Sequence, residues 1–320
     1  MSIPLLFGPY GSGELPANIK DYGVNARWFH GFNEATFAAC EEQKLEACVE
    51  FQTFRADFQK HPNLIPIGID HKPIRYGRLV QGICLSQKDY LTQIEEELLA
   101  GMKQFKPRGI WLDYLTYAGW FETSQPDLQE SCFCRDCIAD FCNFAAVDAT
   151  APEEILASYS EEWKNYKCRK IADLALHYSR LIKARMPECI VGAYMCPWTP
   201  DEFNGALTRI FAQNYQWLAE AIDVYTPLIY CSKSGRSRGW GREWLEQSAE
   251  FVPDHRKVQL ILDGLDYPES LEEAAASDVP SWGIQLYAGA PLFHDPDKAL
   301  AFKHSVEAIR SHCRNEETSF

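Results

Sequence analysis

Asp113 closes a short apolar run, Gly109-Ile110-Trp111-Leu112. A carboxylate at the end of a buried strand is placed for acid–base or nucleophilic work. Nine residues later comes Glu122, and Asp263 closes a second such run, Val258-Gln259-Leu260-Ile261-Leu262. Glu50 lies in a third, Ala47-Cys48-Val49-Glu50-Phe51-Gln52. Aromatic residues crowd the segment after Asp113: Tyr114, Tyr117, Trp120 and Phe121. Two carboxylates among aromatic rings suit hydrolysis of a glycosidic bond. One carboxyl protonates the leaving oxygen, the other attacks or orders a water, and the rings stack on sugar faces. Asp113 is the first choice for the essential carboxylate, with Asp263 and Glu122 competing as its partner. The same segment then carries Cys132, Cys134, Cys137 and Cys142, thiols dense enough to clip a metal ion.

The elements that would position these groups alternate. Apolar, β-branched runs at 24–29, 47–52, 79–85, 109–112, 190–196, 224–230, 258–262 and 282–287 are each followed by helical periodicity, as in Leu91, Ile94, Leu98 and Met102. Eight such units predict a parallel sheet closed into one (β/α)8 barrel over 1–320, with a cysteine-rich loop at about 115–142. An open doubly wound sheet is disfavoured, because no glycine-rich phosphate loop follows the first run. Ser86 is expected to cap the long helix after the third run, and 64–74 reads as a small β excursion. The tail from Asn315 is expected to fray.

In such a barrel the site lies at the C-terminal strand ends. Those ends offer His30, Glu50, Gln52, Cys84, Asp113, Tyr194 with Trp198, Tyr230, Asp263 and Tyr287. Strand alternation puts Gly109, Trp111 and Asp113 on the inner face and Ile110 and Leu112 on the outer; likewise Gln259, Ile261 and Asp263 face in. His30, Glu50, Trp111, Tyr117, Trp120, Tyr194, Trp198, Tyr230 and Tyr287 are therefore the expected substrate-binding set. For the tryptophans the competing reading is plain core.

Composition narrows the field. A net charge of −14 repels a phosphate backbone, and the modest basic cluster from Lys233 to Arg242 reads as an ordinary loop, so no nucleic-acid partner is expected. No apolar run reaches membrane-spanning length and no leader is apparent at the N-terminus, which predicts a cytoplasmic protein. Twelve cysteines in that setting read as thiols or metal ligands, not a disulfide framework.

The layout resembles the glycoside hydrolase superfamily of TIM barrels, including its members without assigned substrate. Gly82-Ile83-Cys84-Leu85-Ser86 followed by Gly109-Ile110-Trp111-Leu112-Asp113-Tyr114 is similar to their third and fourth strands, and Tyr225-Thr226-Pro227-Leu228-Ile229-Tyr230 to their sixth. The chitinase-like acid series departs at Leu115, where that family has its catalytic Glu. An Asp ending strand four, as in several other barrel clans, fits Asp113. Cys132-Phe-Cys134-Arg-Asp-Cys137 is similar to the zinc loop of one β-galactosidase family. That resemblance implies a structural Zn2+ on Cys132, Cys134 and Cys137, with Cys84 matching the upstream fourth ligand and Cys142 the alternative. The family's Asn-Glu pair after strand four is absent. The resemblance implies a glycosidase acting on an oligo- or polysaccharide with no organic cofactor; the alternative is a catalytically inactive, glycan-binding barrel.

Overall fold

The computed structural model describes residues 3–74, 82–253 and 257–317. Its strands are β1 (Leu6–Tyr10), β2 (Ala26–His30), β3 (Glu46–Gln52), β4 (Gly109–Asp113), β5 (Ile190–Met195), β6 (Val224–Ile229), β7 (Lys257–Val258), β8 (Leu260–Asp263) and β9 (Gly283–Tyr287). All pair in parallel, and β7 and β8 are two pieces of one strand interrupted at Gln259. Because β1 pairs with both β2 and β9, and β5 with β6, the sheet closes into an eight-stranded (β/α)8 barrel. Helices cover its outside, among them α1 (Glu34–Gln43), α2 (Lys88–Gln104), α3 (Arg135–Ala145), α4 (Pro152–Ser158) and α5 (Ser160–Arg185).

The count of eight was expected, but one member differs. Leu6–Tyr10 is a barrel strand, although Gly8 and Pro9 within it read as turn residues. Gly8 is needed there, since a Cβ would overlap the Ala26 carbonyl of the neighbouring strand. The expected run 79–85 is not a strand over 82–85, and 79–81 lie outside the described residues. Gly82 instead packs against the backbone of Tyr117 and Ala118. Among the described residues between β3 and α2 there is no barrel strand and one antiparallel bridge, Ile67 to Pro73, inside the expected β segment. Ser86 does not cap α2, whose N-cap is Gln87; its hydroxyl contacts Cys137 and Asp140. Helix α11 (Pro296–Glu317) runs into the tail expected to fray, and 318–320 lie outside the described residues.

Alternation divides the core as the strand pattern requires. Ile110, Leu112, Val49, Leu260 and Leu262 pack outward against the helices. Leu6, Trp28, Cys48, Trp111, Tyr194 and Ile261 fill the barrel. Trp111 fits because its neighbours are glycines: Gly109 two residues back and Gly192 directly across on β5. A Cβ at either would meet the indole ring. Gly192→Ala is therefore expected to destabilise the fold by about 1–3 kcal/mol through overpacking; a urea midpoint unchanged from wild type would refute this.

Above Trp111 lies a polar layer. The Trp111 indole N–H donates to Thr226 at 2.8 Å. The buried Gln285 amide is 2.8 Å from both the Tyr194 hydroxyl and the Gln259 side chain. Buried polar groups persist only when bonded, so this layer is a fixed floor for whatever lies above it.

Candidate active site

Above that floor, at the C-terminal ends of the strands, the barrel opens into a cavity of about 260 Å3, near the lower end of the size range of small-ligand clefts. Two walls differ in chemistry. His30 (end of β2), Glu50 and Gln52 (β3), Asp113 (β4) and Glu122 (the loop after β4) form an acidic wall. Opposite stand Tyr10 (β1), Tyr194 (β5), Tyr230 (after β6) and Tyr287 (β9). Tyr10 and Tyr287 stack at 5.4 Å and 18° between planes, and Tyr230 lies 5.2 Å from Tyr287. Trp120 and Phe121 close the rim.

Adjacent parallel strands bring Glu50 and Asp113 together, close enough for each to perturb the other's ionisation. Two carboxyls this close resist ionising together, so Glu50 holds its proton to higher pH than a free acid would. Burial pushes Glu50 well above the usual range, and Asp113 beside it adds to the effect. Burial also raises Asp113, opposed by Glu50 and by the Tyr114 backbone N–H. Tyr114 takes a left-handed backbone (φ 53°), a costly conformation for a non-glycine residue, directly after this carboxylate. Thr53 further ties the strand end by donating to the Asp113 carbonyl. His30 Nδ1 is 3.5 Å from Glu50 at the solvent side; its basicity is lowered by burial and by Arg55.

Glu122 is the third carboxyl of the cavity. Its acidity is weakened to a pKa of about 7, chiefly by burial; Lys233 opposes the rise, and Asp113 and Asp263 add to it. A carboxylic acid half-protonated at neutral pH is suited to donate a proton.

Asp263 faces inward as expected but does not line the cavity. Its carboxylate lies 2.9 Å from Lys233 Nζ and accepts from the Leu265 N–H. Trp111 is wholly buried below the floor. Tyr117 is buried behind the wall, where Lys167 lies over its ring, and Trp198 packs among Phe121, Phe203 and Phe211. These three are core, not a sugar platform. Trp120, Tyr194, Tyr230, Tyr287, His30 and Glu50 do line the cavity.

Sequence reasoning missed Tyr10, because its strand was missed, and Gln213. The Gln213 amide accepts from the Cys196 N–H at 2.7 Å and donates to the Leu115 and Tyr194 carbonyls. It thereby staples the loop after β4 to the end of β5. Nothing in the local sequence marks a lone Gln in the short coil between the helices Glu202–Arg209 and Tyr215–Leu218 for that role.

The loop is fixed at its far end by sulfur. The Sγ atoms of Cys84, Cys132, Cys134 and Cys137 all lie within 4.8 Å of one another. Cys84 is 3.6 Å from both Cys134 and Cys137. Ligands about 2.3 Å from a tetrahedral ion are about 3.8 Å apart, so these donors fit one ion with little movement. The Ile67 N–H points at Cys132 Sγ and the Cys137 N–H at Cys134 Sγ, the kind of bond that orients thiolate ligands. Cys142 is not part of the set; its thiol points to the Ala149 carbonyl. Nearby, the fully buried Lys167 ammonium pairs with Glu130 at 2.7 Å and with the Arg209 carbonyl, holding the middle of the loop to α5.

The basic stretch after β6 is engaged internally: Arg236 with Glu202, Arg238 with Asp266, Arg242 with Glu246. It presents no array for phosphates. Among the described residues no helix is long and apolar enough to cross a membrane.

No protein-family model matches the chain, and none of the curated proteins does. Solved structures do. The glycoside hydrolase domain of PgaB (BpsB) from Bordetella bronchiseptica superposes with a TM-score of 0.72 at 11% identity, covering 95% of this chain and 99% of that one. A β-galactosidase from the haloarchaeon Halorubrum lacusprofundi gives 0.65 at 11% identity, over 95% of this chain and 58% of its own. A β-galactosidase from Bacillus circulans sp. alkalophilus gives 0.60 at 10%, over 96% and 55%. This chain has the fold of glycoside hydrolase barrels. It spans little more than half the length of the two β-galactosidases.

Proposed function

We propose that the protein is a glycoside hydrolase, with Asp113 as its essential carboxylate and Glu122 as proton donor. The observation that carries this reading is the shape of the mouth: three carboxyls whose acidity is weakened face a wall of four tyrosines in one cavity. In the reaction Glu122 gives its proton to the glycosidic oxygen as the bond from that oxygen to the sugar carbon breaks. The leaving sugar departs as an alcohol; a water then adds its hydroxyl to the sugar carbon, and the proton it releases returns to Glu122. Asp113, beside a Glu50 that keeps its proton, supplies the negative charge next to the developing oxocarbenium ion. The tyrosine wall offers flat faces for the rings of an oligo- or polysaccharide. The neighbouring structures that carry glycosidase names support the class of reaction, and the sulfur cluster supports a structural Zn2+. With four protein thiolates such an ion has no open position, so it would hold the loop bearing Trp120 and Glu122 and take no part in the chemistry.

Glu122→Gln tests the donor. It is expected to lower kcat/KM by about 10²–10⁴-fold on natural glycosides, yet far less on aryl glycosides whose leaving groups need no proton. Because a donor must be protonated, wild-type activity is expected to fall as pH rises through about 7. Equal loss on both substrate types would remove Glu122 from the proton-donor role. A glycan panel that is bound but never cleaved would leave a binding barrel instead.

A further inference from the structure

Lys233 stands on the short helix Cys231–Ser234, directly after β6. Its Nζ is 2.9 Å from Asp263 and 3.9 Å from Glu122. The same ammonium lies 4.2 Å over the ring of Tyr230 and 4.5 Å over that of Tyr287. Two aromatic faces and a buried carboxylate fix a flexible lysine in place, in the way cation–π contacts favour. The groups facing Glu122 are then Lys233 from this helix, Asp113 from the end of β4, Asp263 from the end of β8 and Tyr230 from the end of β6. Lys233 is the one cation of that set.

We propose that Lys233 is a positioning residue for the proton donor: held between Asp263 and Glu122 and against two tyrosine faces, its ammonium offsets the negative charge left on Glu122 when the proton moves to the glycosidic oxygen. No bond to Lys233 forms or breaks. Asp263 sets how much of the ammonium Glu122 receives, because the two carboxylates compete for it. The inference rests on Glu122 as the donor, yet makes predictions of its own. Removing Lys233 leaves Glu122 facing two acids without a cation, so it holds its proton to higher pH. Removing the Asp263 charge frees the ammonium for Glu122 and removes a repulsion, so the proton is lost at lower pH.

The test is carbon-13 NMR of the full chain labelled at the glutamate carboxyl, with the Glu122 resonance assigned by its absence in Glu122→Gln. The expected midpoint is about 7 in wild type, higher by about one pH unit or more in Lys233→Met, close to wild type in Lys233→Arg, and lower in Asp263→Asn. The basic limb of the activity profile should move with it, which a merely structural role for Lys233 would not produce. A Lys233→Met midpoint equal to wild type in the folded protein overturns the proposal. If that variant does not fold, a midpoint unmoved or raised in Asp263→Asn overturns it. Should Glu122 titrate near the usual value of about 4.3 in wild type but still rise in Lys233→Met, the coupling of Lys233 to Glu122 is real, but the donor assignment falls and the positioning role with it.

Discussion

Asp113→Asn is expected to reduce hydrolysis by roughly 10³-fold or more while leaving the protein at least as stable as wild type. The two outcomes share one cause. Asp113 and the buried Glu50 sit side by side, burial and Asp113 each raising the cost of ionising Glu50, an arrangement that serves chemistry and strains the fold. Glu50 keeps its proton in the folded chain at pH values where the unfolded chain has released it. Stability therefore falls as pH rises from about 4.3, the value for a free glutamate, towards the raised native value. An amide at 113 can hold a bond to Glu50 without adding a second negative charge, so that penalty shrinks and the thermal midpoint at pH 7 should not fall. Activity and melting curves on the same preparations decide the matter. Residual activity within tenfold of wild type would displace Asp113 from the mechanism. Lost activity together with a lower melting point would mean that the residue is chiefly structural.

The second large effect concerns sulfur. The purified protein is expected to contain about one zinc per chain by atomic emission, and Cys84→Ser or Cys134→Ser should lose it. Metal binding at such sites contributes folding free energy outright. At about 2–4 °C per kcal/mol, losing several kcal/mol of loop anchorage should lower the melting point by on the order of 10 °C. Activity should fall as well, because the same loop carries Trp120 and Glu122 into the cavity. Cys142→Ser is the control: its thiol bonds a carbonyl outside the cluster, so metal content should not change. Full zinc occupancy in Cys84→Ser would show that the fourth ligand lies elsewhere.

The architecture was legible because it rests on repetition. Strand alternation placed Trp111 and Asp113 inward and Ile110 and Leu112 outward, and the structure agrees. Asp113, Glu50 and the strand-end tyrosines could be placed at the mouth for the same reason, and Glu122 only by its short distance in sequence from Asp113. What failed was local. Gly8 and Pro9 disguised β1, and with it Tyr10. The apolar run around Ile83 mimicked a strand, although it serves to carry Cys84 to the other thiols. Tyr117 and Trp198 have the composition of a sugar platform, but only packing decides which face of a loop is buried. Lys233 and Gln213 act through partners from other strands, and such long-range pairings leave no mark in the sequence around them.

One feature of the strand order reaches beyond the finished molecule. β1 matches β9 over five consecutive positions, Leu6 with Gly283 through Tyr10 with Tyr287, but β2 at only one, Tyr10 with Trp28. Within this barrel the earliest strand thus belongs chiefly with the latest, and until residue 287 has emerged one of its edges lacks a neighbour. Such edges invite wrong pairings during synthesis. Half of the tyrosine wall, the Tyr10–Tyr287 stack, does not exist before that closure. Tyr194 and Tyr230 are in the chain well before that point, but the cavity wall is complete only when β9 closes the barrel.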